Sequence, residues 1–124
     1  MGMRVLIADD EPNIVAALEF LLQRSGFQVH IARNGDEALR QIEEHMPDLV
    51  VLDVMMPLRS GYDVCRRVRE REDWQHIKIV MLSAKGREVD ANKGLTLGAD
   101  LYISKPFSTK ELVARINRLL GAEV

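Results

Sequence analysis

Five short apolar runs, set apart by longer stretches whose apolar residues recur at helical spacing, constrain this chain more than any other feature. The runs are residues 5–8, 29–32, 49–52, 79–82 and 101–104. Each is about the length of a strand and rich in Val, Ile and Leu. Between them, Ile14, Val15, Leu18, Leu21 and Leu22 line one face of a first helix. Ala38, Leu39 and Ile42 suggest a second, and Val64, Cys65 and Val68 a third. Leu112, Val113, Ile116, Leu119 and Leu120 form the stripe of a last one. Residues 88–97 make a weak fourth helix, because Asp90, Asn92, Gly94 and Thr96 all lower helix propensity.

Five strands alternating with five helices predict an α/β fold with a parallel sheet. A length of 124 residues suits one domain, residues 1–124, and 47% apolar residues fill one core with little left for a second. Runs one, three and four are apolar throughout, as strands covered on both faces are. Val29-His30-Ile31 and Leu101-Tyr102-Ile103-Ser104 carry polar or amphipathic side chains, as edge strands do. Short right-handed crossovers then give a doubly wound sheet of order 2-1-3-4-5. In such a sheet the ligand crevice lies beyond the carboxyl ends of the strands where the order reverses, here between strands one and three.

Both of those strands run into acids. The first is followed by Asp9-Asp10-Glu11-Pro12 and the third by Asp53. Taken singly, Asp10 could cap the first helix ahead of Pro12, and Asp53 could be an ordinary turn residue. Together, Asp9, Asp10 and Asp53 converge where the topology opens a crevice. Three carboxylates at close range repel one another and raise their pKa values. A hard divalent cation such as Mg²⁺, which takes carboxylate and phosphate oxygens, removes that conflict. The fourth run leads into Ser83 and the fifth into Lys105-Pro106, both at the same edge. Lys105 offers a point charge for a phosphoryl oxygen and Ser83 a hydrogen-bond donor. A plain strand terminator and a solvated lysine are the alternatives for these two.

The charge balance narrows the partners. With 29% charged residues and a net charge of −2, the chain lacks the basic footprint of a nucleic-acid binder. No apolar run reaches the roughly 18 residues of a membrane span, and the start lacks the apolar stretch of a signal peptide. The single Cys65 excludes an internal disulfide and fits a reducing compartment, so a cytoplasmic location is expected. His30, His45 and His76 show no metal-ligand spacing. Cys65 reads as core, Trp74 as partly buried in a polar connection, and Arg66-Arg67-Val68-Arg69 as a solvated helix face.

Asp9-Asp10, Leu52-Asp53-Val54-Met55-Met56-Pro57, Gly61, Ser83-Ala84 and Lys105-Pro106-Phe107 resemble, in order and spacing, the motif set of response-regulator receiver domains, whose fold is flavodoxin-like. The resemblance covers nearly the whole chain. It implies that Asp53 accepts a phosphoryl group from a sensor histidine kinase or phosphotransfer protein. It implies that Asp10, Asp53 and the Met55 carbonyl bind Mg²⁺, with Asp9 helping. Lys105 would pair with the phosphoryl oxygens, and Ser83 would move toward them. Tyr102 would be the aromatic switch, and Lys105-Pro106 a cis peptide. Met55 and Lys85 would tune the acyl phosphate's lifetime. Such a domain catalyses only its own phosphorylation and dephosphorylation and is not otherwise an enzyme. It would signal through the face formed by the fourth helix, fifth strand and fifth helix, to an output domain or a partner protein. Lys93, Asp100, Glu111, Arg115 and Arg118 could form ion pairs of a homodimer there. Leu101 stands where regulators with winged-helix output domains, which this tail resembles, usually have a second acid, so that dimer is expected to be weak, or the face to serve a different partner. The chain would be either a stand-alone receiver or part of a longer regulator.

Three rivals make different demands. A haloacid-dehalogenase-type phosphatase resembles D-x-D at the first strand, where this chain has adjacent acids. A nucleotide-binding flavodoxin-like domain wants a Gly-rich loop there. A degenerate receiver would lack one of Asp53, Ser83 and Lys105.

Overall fold

The computed structural model describes residues 3–83 and 97–121. The elements in chain order are β1 (Arg4–Ala8), α1 (Pro12–Arg24), β2 (Gln28–Ala32), α2 (Gly35–His45), β3 (Leu49–Asp53), α3 (Gly61–Glu70), β4 (Lys78–Ser83), β5 (Leu101–Ser104) and α4 (Thr109–Leu119). A 3-10 turn, Glu72–Trp74, joins α3 to β4. All five strands pair in parallel in the order β2-β1-β3-β4-β5. Four α-helices stand among the described residues, and α4 is the segment the sequence presents as its fifth helix. The expected helix over residues 88–97 lies outside the described residues, save for Leu97, which opens a turn. No helix among the described residues is long and apolar enough to cross a membrane.

Strand alternation builds a core on each face of the sheet. Leu6, Ala8, Val50, Leu52, Ile79 and Met81 point to one face, where α2 supplies Ala38 and Ile42 and α3 supplies Val64, Cys65 and Val68. Val5, Ile7, Leu49, Val51, Val80 and Leu82 point to the other, where α1 supplies Val15, Leu18 and Leu22 and α4 supplies Leu112, Val113 and Ile116. Every residue of β3 is buried, whereas β2 and β5 are only partly covered, as edge strands are. Truncating one of the fully buried side chains, such as Leu18, costs about 2–5 kcal/mol.

Side-chain caps fix the starts of α2 and α3. Asn34 caps α2 by accepting from Glu37 N, and Ser60 caps α3 by accepting from Asp63 N. At Gly61 the first turn of α3 lies so close to the strand that a Cβ there would sit 2.4 Å from the Asp53 carbonyl oxygen.

Two surface expectations need correction. Arg69 is not part of a solvated face: its Nη2 lies 3.0 Å from Asp100 Oδ2 and its Nε donates to Gly98 O. Arg66 and Arg67 are exposed as expected. Trp74 is almost fully buried rather than partly so, with the Arg71 guanidinium 4.1 Å above its ring. The scattered histidines are not all apart either, since His30 and His45 stack with centroids 3.8 Å apart.

Candidate functional site

Parallel pairing sets the carboxyl ends of the three central strands side by side. Ala8 is in register with Leu52, and Asp53 with Leu82. The residues just past Ala8 therefore meet the end of β3. Asp9 is fully buried and Asp53 nearly so, while Asp10 is exposed. Asp9, Asp10 and Asp53 each present a carboxylate oxygen, and these oxygens all lie within 4.8 Å of one another. The three acids do converge at the crevice the strand order predicts.

Asp10 does not cap the first helix. Glu11 occupies the N-cap of α1, and its side chain makes no capping bond. Asp10 is thus left to face the crevice with no helical duty, which removes the simplest structural alternative for it.

Backbone N–H groups aim the buried carboxylates. Asp9 Oδ1 accepts from Glu11 N at 2.9 Å, and Asp53 Oδ1 from Met55 N at 3.2 Å. The second oxygens turn toward Lys105, whose Nζ lies 3.3 Å from Asp9 Oδ2 and 3.5 Å from Asp53 Oδ2. Lys105 is fixed from below, because its backbone N donates to Ser83 O at 2.6 Å. Ser83 ends β4, is buried, and is in register with Ser104. The Lys105–Pro106 peptide is cis, as expected.

The sequence reading missed Glu11, which is hydrogen-bonded and ion-paired to Lys105 Nζ. The signal was the run Asp9-Asp10-Glu11 opposite a lysine, but only the folded chain shows which acid the ammonium takes.

Burial and mutual repulsion shape the charges. The Asp53 carboxyl is pushed up to about 6, first by burial and then by Asp9, against the pull of Lys105 and Met55 N–H. Asp9 is also raised by burial. Burial works against the Lys105 charge, but Glu11, Asp53 and Asp9 together outweigh it and hold its pKa above the usual value. Three carboxylates, those of Asp9, Glu11 and Asp53, thus surround one ammonium. Asp9 Oδ2 is buried and accepts no hydrogen bond, so the Lys105 ammonium 3.3 Å away is its partner. The three clustered carboxylates of Asp9, Asp10 and Asp53, all hard oxygen donors with more negative charge than one lysine offsets, fit a magnesium ion.

The remaining expected residues divide. Met55 is exposed beside Asp53, with its backbone turned into the site. Tyr102 packs partly buried against the α2–α3 core, and its buried hydroxyl has no partner among the described residues. Ala84, Lys85 and Lys93 lie outside the described residues. Asp100 is spent within the chain: its Oδ2 meets Arg69 and also accepts from Ile79 N at 2.8 Å. Glu111 and Arg115 line one cleft with Ile103 and Phe107, of about 280 Å³.

Comparison with known proteins agrees with this geometry. The family model described as the response regulator receiver domain matches residues 5–117. A candidate response regulator from Chloroflexus aurantiacus is 36% identical, with TM-score 0.91, over 98% of this chain and 99% of that one. The signal receiver domain of a signal transduction histidine kinase from Syntrophus aciditrophicus is 33% identical, with TM-score 0.89, over 98% and 92%. The receiver domain of a sensor histidine kinase from Pseudomonas aeruginosa is 28% identical, with TM-score 0.86, over 98% and 99%. It was solved with a magnesium ion coordinated in its active-site cleft.

Proposed function

The chain belongs to the response regulator receiver domain family of two-component signalling, and from that premise we propose that Asp53 is its phosphoacceptor in a magnesium-dependent reaction. The observation that carries this reading is the buried Asp53 carboxylate, with Lys105 Nζ 3.5 Å from Oδ2 and Asp9 and Asp10 alongside. A carboxylate in that place can attack phosphorus while the bond from phosphorus to the donor histidine nitrogen breaks, leaving an acyl phosphate. Phosphoryl transfer has a loose transition state, so the chain's work is positioning and charge neutralisation. Met55 N–H holds Asp53 Oδ1, which leaves Oδ2 as the attacking oxygen. Lys105 neutralises charge on the transferred oxygens. Asp10, Asp53 and the Met55 carbonyl are the proposed ligands of Mg²⁺, with Asp9 in support, and the ion supplies further neutralisation when bound.

The proposed donors are a sensor histidine kinase or a phosphotransfer protein, in the cytoplasm. The domain acts on itself alone and is not a turnover enzyme. Ser83 moves toward the phosphoryl group, and Tyr102 responds on the face that includes β5 and α4. An output domain or partner protein reads that face, and neither nucleic acid nor membrane is bound directly.

Acetyl phosphate tests the reading. Labelling should reach one phosphoryl group per chain with Mg²⁺ present, be released by hydroxylamine as an acyl phosphate is, and stop when EDTA is added. Undiminished labelling in EDTA, or continuous turnover of the donor without accumulated label, would contradict it.

A further inference from the structure

Lys105 does not stand evenly among the carboxylates around it. Its contacts with Asp9 and Asp53, at 3.3 and 3.5 Å, are longer than the 2.7–2.9 Å typical of a charge-assisted hydrogen bond. Its hydrogen bond goes to Glu11. The ammonium therefore leans away from the Asp53 oxygen and toward the mouth of the site.

Glu11 is placed for this by its own backbone. Its N–H donates to Asp9 Oδ1, which ties its Cα to the acid cluster. Its φ of −91° and ψ of 108° are extended, and Pro12 starts α1 immediately after it. It sits at the N-cap, yet its carboxylate caps nothing, so the side chain is free to serve Lys105. That side chain is 54% exposed, and ion pairs with so much solvent contact are weak and easily exchanged.

We propose that Glu11 is a positioning residue that holds the Lys105 ammonium off Asp53 in the resting domain and yields it to the phosphoryl group. The proposal rests on the reading of Asp53 as phosphoacceptor. A phosphoryl group brings about −1.5 to −2 charge at neutral pH, more than the Glu11 carboxylate carries, and it sits in the buried part of the site. The ammonium then exchanges a solvated partner for a buried and more highly charged one. Resting Glu11 thus competes with the phosphoryl group for the one lysine and sets how readily the domain is charged.

The test compares wild type, Glu11→Gln and Glu11→Ala, each alone and with Lys105→Ala. The probes are beryllofluoride affinity at saturating Mg²⁺ and the initial rate of labelling by acetyl phosphate. Because the Glu11 side chain makes no capping bond, both variants should melt close to wild type. Freed of Glu11, Lys105 should tighten beryllofluoride and speed labelling by about threefold. The gain should shrink as ionic strength rises, and most of it should vanish in the Lys105→Ala background. Unchanged or weaker beryllofluoride binding in Glu11→Gln overturns the proposal. So does a gain that persists in full without Lys105, which would mean that Glu11 acts through its own charge. If wild type takes no label at all, the phosphoacceptor reading fails and the proposal falls with it. If wild type labels on Asp53 while the Glu11 variants match it, only the proposal fails.

Discussion

Lys105 Nζ stands 3.5 Å from Asp53 Oδ2, close enough to stabilise charge there and too far for a strong hydrogen bond. The gap follows from the fold. Lys105 follows directly on β5, the edge strand, and Asp53 ends β3, with β4 between them. The long lysine side chain crosses one strand to reach the acid, and an oxygen added to Asp53 would meet it partway.

Removal of Asp10 should relieve crowding among the acids while abolishing metal binding. Glu11, not Asp10, holds the N-cap of α1, so no helix cap is lost. Metal-free Asp10→Ala should melt at or above the wild-type temperature, and Mg²⁺ should no longer raise its melting point. A clear loss of metal-free stability would show that Asp10 supports the helix after all.

The raised pKa of Asp53 gives a signed pH dependence. Its ordinary value is 3.8, and in the folded chain it is pushed up to about 6. The folded domain thus binds this proton more tightly than the unfolded chain. That contribution to stability is complete below the unfolded value and is lost as pH rises through about 6. Chemical denaturation in EDTA should therefore show Asp53→Asn gaining on wild type between pH 4 and pH 7. A stability difference that stays constant across that window would contradict the assignment of the shift.

Gly61→Ala should damage both stability and site. The new Cβ would fall 2.4 Å from the Asp53 carbonyl oxygen, which is backbone and cannot swing aside. Overpacking of this kind costs about 1–3 kcal/mol. Urea unfolding should report the loss, and labelling should slow because relief requires moving the end of β3. A variant with wild-type stability would mean that α3 is not seated as closely as described.

Self-association should be weak. On the resemblance to regulators that dimerise through this face, Leu101 takes the place of a second acid, and Asp100 is engaged by Arg69 and by Ile79 N within its own chain. Sedimentation should find monomers at micromolar concentration, with at most a modest shift on adding beryllofluoride and Mg²⁺. Tight dimers in both states would refute this.

Much of this structure was legible because it depends on local pattern. Continuous apolar runs marked β1, β3 and β4 as central, and polar interruptions at His30 and Tyr102 marked the edges. Order then placed Asp9, Asp10 and Asp53 together without further information. What stayed hidden depends on side-chain choices made across long separations. Nothing local says that Lys105 takes Glu11, 94 residues away, as its hydrogen-bond partner. Arg69 reads as solvated from its exposed neighbours, and only the turn at Gly98 and Asp100 gives it a partner. The stacking of His30 on His45 likewise joins the edge strand to the end of α2, a contact that no spacing rule supplies.

One buried carboxylate, Asp53, is proposed to carry the phosphoryl group. Intact-mass measurement of wild type and Asp53→Asn after treatment with acetyl phosphate and Mg²⁺ tests it directly. Wild type should gain a single phosphoryl group, and Asp53→Asn should gain none while remaining folded. Labelling of Asp53→Asn at the wild-type level would mean that another residue is the phosphoacceptor, whatever the other residues of the site do.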